Sequence, residues 1–261
     1  MELAVRIFLY WAPNDEAEQE RLDIAHALMT KAIGEKLFLC PIDTAKMQRI
    51  LGNDLSPIQP SWVPPNVKFQ VDDVESPWLP EAPYDFIFSR YMAACIKDWP
   101  KLVGQIHANL APGGWAEFQD FEFDFHSDDG TLTPSSEMLK WVTILNDAAD
   151  SVGRTSSPGP NLEKWVQDAG FVNVRHEKFR LPLGPWPKDP KLKEVGRFNL
   201  MQMLSGLEAF SLRLYTDVLG WEKEEVMVML AKVRGELRDS RIHAMYNFHV
   251  VYGQKAKTKE D

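Results

Sequence analysis

Cysteine is scarce. Cys40 and Cys95 stand far apart with no motif spacing, which excludes a disulfide framework and a zinc site. The six histidines (His26, His107, His126, His176, His243 and His249) are scattered without metal-ligand spacing, so no metal is expected. Basic residues are outnumbered, 29 against 38 acidic, for a formal net charge of -9. That balance, with no basic stripe to offset it, speaks against nucleic acid or an anionic membrane as a partner. The apolar run at residues 1–11 is too short to span a bilayer and lacks both a basic leader and a small-residue cleavage site. It reads as an element packing on the body of the protein, and the expected setting is intracellular and reducing, cytoplasmic or nuclear. No nuclear-localisation-type basic cluster is present.

The shortage that matters most is local. Lys46-Met47-Gln48-Arg49-Ile50-Leu51 runs directly into Gly52-Asn53-Asp54-Leu55-Ser56-Pro57. The first piece reads as a strand leading into a ligand loop. The second reads as the end of the next strand, tipped by an acidic residue. A parallel crossover between two such strands normally takes roughly 30 residues or more and includes a helix. Here neither a glycine-rich loop nor a helix separates them.

What remains is rich in structure. At 44% hydrophobic and 26% charged, with nine tryptophans and fourteen phenylalanines, the chain has ample material for one core. No linker or internal repeat interrupts it, so one domain over 1–261 is expected. Helical periodicity runs over 16–33, with Asn14 or Asp15 as cap and Gly34 as stop. Residues 36–42 read as a short strand or docking segment. The alternation at 67–71 and the apolar centre of 84–90 mark strands. A helix is expected over 99–110, a turn at 111–114, and a long strand over 115–125. Phe121, Phe123 and Phe125 of that strand face one way, and Asp120, Glu122 and Asp124 the other. Helices follow at 135–152 and 161–169, the latter capped by Asn161, then a strand at 171–181. Two helices at 192–219 and 222–238 precede a last strand at 244–254.

Ligands of open α/β sheets sit beyond the carboxyl ends of the parallel strands. Three polar ends lie there: Asp54, the pair Asp72 and Asp73, and Ser89-Arg90-Tyr91. Asp54 can accept both hydroxyls of a ribose, or merely cap a helix or turn. Asp72 or Asp73 can accept an adenine amino group, or form a solvated turn. His107, His126 and Glu117 are candidate bases, each with a structural role as the alternative. The apolar stripe of Met201, Met203, Phe210, Trp221, Met227 and Met229 can cover a substrate pocket or belong to the core.

Longer stretches are more distinctive. These are Tyr10-Trp11-Ala12-Pro13-Asn14-Asp15, the Gln19-Glu20-Arg21-Leu22-Asp23 helix, Asp54-Leu55-Ser56-Pro57-Ile58-Gln59-Pro60-Ser61-Trp62-Val63-Pro64-Pro65-Asn66, and Asp72-Asp73-Val74-Glu75-Ser76-Pro77-Trp78. With Tyr84-Asp85-Phe86-Ile87-Phe88-Ser89-Arg90-Tyr91, Leu110-Ala111-Pro112-Gly113-Gly114-Trp115 and Asp168-Ala169-Gly170-Phe171, they resemble the LaeA-like methyltransferases of filamentous fungi over most of the chain. The resemblance implies a class I methyltransferase, Rossmann-like α/β fold: a seven-stranded sheet with one antiparallel strand and helices on both faces. It implies S-adenosylmethionine as cofactor and methyl transfer to a small-molecule natural product in secondary metabolism. By position, Asp54 would hold the ribose, Asp72 or Asp73 would face the adenine, and Ser89, Arg90 and Tyr91 would lie near the methyl donor.

The chain departs from this family at one place. The family's Asp-x-Gly-x-Gly-type loop, its helix and the first part of the next strand are absent, leaving the first βαβ unit truncated. Three accounts are open at this level. The chain is a mis-spliced product of an active gene, an accessory or regulatory protein that works with pathway enzymes and has lost cofactor binding, or a protein that binds through a rebuilt loop.

Overall fold

The computed structural model describes residues 2–7, 16–54, 66–71, 73–78 and 82–257. In chain order the elements are β1 (Glu2–Ile7), α1 (Glu16–Ala32), β2 (Arg49–Asp54), β3 (Val67–Val71), β4 (Tyr84–Arg90), α2 (Trp99–Asn109) and β5 (Leu110–His126). They continue with α3 (Glu137–Ser151), α4 (Gly159–Asp168), β6 (Val172–Pro182), α5 (Pro190–Arg213), α6 (Lys223–Leu237) and β7 (Met245–Gln254). A π-helical turn, Leu214–Val218, carries α5 towards α6.

Seven strands form one sheet in the order β3-β1-β2-β4-β5-β7-β6. β7 runs antiparallel to both its neighbours, β5 and β6, and the other described pairings are parallel. Doubly wound sheets ordinarily place strands in the order 3-2-1-4-5. Here the first two exchange places: β1 lies between β3 and β2, with Val5 opposite Gly52 on one side and Phe69 on the other. The fusion read at Leu51-Gly52 is real in the backbone, because Arg49–Asp54 is one unbroken strand beside β4. The N-terminal strand lies along the edge of this strand away from β4. The reason is hydrogen bonding: an open strand edge leaves a row of N–H and C=O groups unpaired, and any extended segment within reach can satisfy them.

Helices cover both faces. One core packs α2 and α4 on the sheet through Leu51, Ile87, Phe118, Leu102, Val103, Ile106, Leu162 and Val166. The other joins α1, α3, α5 and α6 to Phe121, Phe125, Tyr246 and Phe248. Capping follows composition: Asp98 accepts from the Lys101 amide at 2.9 Å to start α2, and Asp189 from the Leu192 amide at 2.9 Å to start α5. Gly34 ends α1 at φ +79, as its position suggested.

Two local expectations change, and one open alternative is decided. α4 begins at Gly159, so Asn161 lies inside it, not at its cap. A Cβ on Gly159 would sit 2.7 Å from His249 Cδ2 and 2.9 Å from the Phe121 carbonyl oxygen, and this close approach fixes where the helix starts. The turn expected at 111–114 is a bulge within β5, with a register shift opposite Tyr84 and Phe86. Residues 36–42 form no strand. They dock through the amides of Leu39 and Cys40, which donate to the Glu117 carboxylate at 2.8 and 2.6 Å.

Candidate functional site

From β2 the chain turns to β3 on one side of the sheet and then to β4 on the other, so the strand order reverses between β2 and β4. In open α/β sheets the crevice beyond the carboxyl ends at such a point is where ligands bind. Asn53 and Ser89 are the penultimate residues of the two strands and are directly paired across them. Both are buried, 1% and 2% exposed. Among the described residues, neither Asn53 Nδ2 and Oδ1 nor Ser89 Oγ has a hydrogen-bond partner. Buried polar atoms are nearly always paired. Two adjacent exceptions at the switch point single it out as the candidate ligand site.

The roof over this crevice is built by α1 and α5. Arg21 is 1% exposed and holds Glu18 with both edges, Nε to Oε2 at 2.8 Å and Nη2 to Oε1 at 2.5 Å. Its Nη1 donates to the Tyr91 hydroxyl at 2.9 Å, and Gln202 Nε2 donates to the same oxygen at 3.1 Å. The guanidinium also lies 4.9 Å from the Phe210 ring centroid, so its charge is met by a carboxylate and an aromatic face. Burial pushes the Tyr91 phenol above its usual range, only partly offset by Arg21. Arg90, on the opposite face from Ser89, reaches His26 Nδ1 at 2.5 Å. That bond puts the neutral imidazole's proton on Nε2.

Of the residues singled out beforehand, the structure brings Ser89, Arg90 and Tyr91 together at the end of β4. Asp54 ends β2 with its backbone opposite Ile7; its side chain lies outside what is described, as does Asp72 altogether. Asp73 is exposed and closes its own turn, accepting from the Glu75 amide at 3.0 Å and Ser76 Oγ at 2.8 Å. Two carboxylates in β5 are strongly perturbed. Burial pushes Glu117 and Asp120 each up to about 7, against the pull of the hydrogen bonds they accept.

The candidate bases are not at the crevice. Glu117 anchors the docking segment, and its other donor is Gln119 Nε2 at 2.6 Å. His107 belongs to the last turn of α2, which runs back to the amino end of the sheet. It packs edge-on to Phe171 at 4.8 Å. His126 ends β5 and contacts the carbonyl oxygen of its own neighbour Asp124. The apolar stripe divides. Met203 enters the core and Phe210 lies under Arg21. Trp221 and Met229 line a groove of about 500 Å³ with Ile144 and Val228 between α3 and α6. Sequence reasoning missed Asn53, Glu18, Arg21, Asp120 and Gln202. For Asn53 the signal was available, an amide inside an apolar strand next to an acid.

Comparisons with known proteins bear on this crevice. The family described as Methyltransferase domain matches residues 34–176. Methyltransferase pytC of Aspergillus terreus is 45% identical over 269 positions, covering 94% of this chain and 83% of its own. Secondary metabolism regulator LAE1 of Cochliobolus heterostrophus is 32% identical over 271 positions, covering 93% and 88%. Probable methyltransferase tdiE of Emericella nidulans is 31% identical over 262, covering 92% and 82%. Since 94% of 261 residues is about 245, an alignment of 269 positions leaves about two dozen positions of pytC without a counterpart here. Among the described residues no helix is long and apolar enough to cross a membrane. With its switch-point crevice and its match over more than half its length, this chain belongs to the methyltransferase-domain family.

Proposed function

We propose that the protein is an S-adenosylmethionine-dependent methyltransferase of fungal secondary metabolism that acts on a small natural product. The observation that carries the placement of its site is the Asn53–Ser89 pair, two orphaned polar side chains at the switch point. They fit the hydroxyl-rich nucleoside part of the cofactor, which offers the donors and acceptors they lack. Asp54 is assigned to the ribose and Asp72 or Asp73 to the adenine. Ser89, Arg90 and Tyr91 are assigned to the neighbourhood of the transferring group.

When bound, the cofactor supplies an electrophilic methyl on a sulfonium, displaced in line by a nucleophile. The chain's own part is positioning and exclusion of water. The Glu18–Arg21 pair closes one side while presenting no net charge, and Tyr91 is held in place by Arg21 and Gln202. A general base is not required if the acceptor's proton is already acidic.

A second reading has its own observation. The loop that would cradle the amino-acid end of the cofactor is missing, and of the loop amides after β4, those of Met92 and Ala93 are spent on Asp120. Several lost contacts at about 0.5–1.5 kcal/mol each remove orders of magnitude in affinity. On this reading the protein is a non-catalytic accessory to pathway enzymes. Isothermal titration decides between them. Binding of S-adenosylmethionine at micromolar to sub-millimolar concentration supports the enzyme. No heat at millimolar ligand, restored by inserting a glycine-rich loop-and-helix segment after Leu51, supports the accessory.

A further inference from the structure

We propose that Asp120 is a positioning residue: its carboxylate latches the loop after β4 in a left-handed start that delivers the Tyr91 hydroxyl to the crevice. The inference extends the site reading above, but its test stands apart from cofactor binding.

The loop is strained where it leaves the sheet. Tyr91 and Ala94 both have φ of +60, a region that residues with a Cβ rarely adopt. Such conformations persist only where the surroundings over-determine them, and they gather at functional sites. The surroundings here are explicit. The Tyr91 amide donates to the Gln119 carbonyl at 2.9 Å and the Ala94 amide to the Thr155 carbonyl at 2.7 Å. Between them the Met92 amide donates to Asp120 Oδ2 at 2.7 Å, and the Ala93 amide donates to the same carboxylate. Asp120 also takes its neighbour's amide, Phe121, at 2.9 Å.

This carboxylate is expensive. It is 1% exposed, and among the described residues its bonds come from main-chain amides, with no cation. An apolar residue there would serve the core better. What the acid achieves is local. By turning two successive amides inward it forces Tyr91 out of the β region, and the phenol swings under α1 and α5. There its oxygen receives Arg21 and Gln202, while its ring packs edge-on to Phe121 at 5.2 Å. With two donors on the oxygen, the phenol's own proton is left to give. Gln202 Oε1 beside it has no partner. The latch therefore sets a donor and an unpaired acceptor side by side in this buried corner.

The test is residue-resolved hydrogen exchange on the full ligand-free chain, with the Tyr91 ¹³Cζ chemical shift as a second readout. Asp120→Ala should speed exchange of the Met92 and Ala93 amides by on the order of ten- to a hundredfold and move the Tyr91 signal. The Leu102 amide, bonded to the Asp98 carbonyl in the first turn of α2, should be unchanged. Asp120→Asn keeps one carbonyl acceptor and should restore part of the Met92 protection, which also covers the case that the alanine variant fails to fold. Unchanged exchange at Met92 and Ala93 in either variant overturns the latch, and so does a Tyr91 shift that stays at the wild-type value. Failure of the wild-type chain to bind S-adenosylhomocysteine would sink the functional reading and leave these exchange outcomes to decide the latch alone.

Discussion

Ser89→Ala and Asn53→Leu should make the ligand-free protein more stable, although both sites lie in the middle of its sheet. Core substitutions usually destabilise, so the sign is informative. Ser89 Oγ and both polar atoms of Asn53 are buried without partners among the described residues, and each such group costs about 1–3 kcal/mol of desolvation that no bond returns. Removing the serine hydroxyl leaves a space smaller than a methyl group, so the expected gain is about 1 kcal/mol. Leucine at 53 conserves volume while removing two polar atoms, for about 1–3 kcal/mol. The residues are cross-strand partners, so the double variant should gain less than the sum. For a chain of this size 1 kcal/mol moves Tm by about 2–4 °C, which calorimetry resolves easily, and urea unfolding gives the free energy directly. The same variants should lose nucleoside binding. Stability bought at the expense of binding is the signature of groups kept for a ligand. A Ser89→Ala protein less stable than wild type by more than about 0.5 kcal/mol would refute the reasoning, since it would mean the hydroxyl is already satisfied.

Two further outcomes follow from the same structure. Glu117 and Asp120 are pushed up to about 7 by burial, above their unfolded values. The folded state therefore holds protons that the unfolded chain has released, and stability from these groups rises as pH falls from about 7 to about 4. The effect is on the order of 3–4 kcal/mol per group. His249, held low by its burial, acts in the opposite sense, so the comparison is wild type against the Glu117→Gln/Asp120→Asn double variant. A difference in urea midpoint that does not change between pH 8 and pH 5 would reject it. Gly196→Ala should cost about 3 kcal/mol or more, because its Cβ would fall 2.0 Å from the Gly184 carbonyl oxygen. Gly104→Ala, with nothing within 4 Å, should gain about 0.5–1 kcal/mol in the interior of α2; thermal melts of the pair check both signs.

Local physics explains which parts could be read in advance. The periodicity of Ala25, Leu28 and Met29 and the apolar run of β4 are properties of neighbouring residues, and those elements fell close to their expected bounds. Where β1 pairs is not such a property. Its apolar run signals an element, but its place between β2 and β3 depends on which edge the fused strand leaves open some fifty residues away. The site divides the same way. Ser89, Arg90 and Tyr91 were visible because a strand end is a local signal. Asp120 was read as facing away from the phenylalanines, which is correct, but alternation cannot say that the loop after β4 covers that face and buries the acid. Arg21 and Gln202 reach Tyr91 from helices 70 and 111 residues distant in sequence, and no spacing rule links them.

The exchange of β1 and β2 separates two demands that usually coincide in this fold. A sheet position asks only for an extended backbone in parallel register, because the ladder is made by N–H and C=O groups every residue carries. Glu2–Ile7 can therefore occupy the place beside β2 whatever its side chains. A loop that grips an anion asks for more: glycines where a side chain would block the approach, and a helix start aimed at the ligand. No substitute of that kind arises from repairing hydrogen bonds. The crevice that remains is framed by β4, β5, α1 and α5, with the fused strand paired to β4 from Ile50 to Asn53. Restoring the missing segment would then have to displace β1 from its position, and the N-terminal strand and the loop become competitors. A chain carrying an inserted glycine-rich loop and helix after Leu51 should bind S-adenosylmethionine more tightly when residues 2–7 are deleted than when they are present. Equal affinity with and without those residues would show that the two never contend for the same edge.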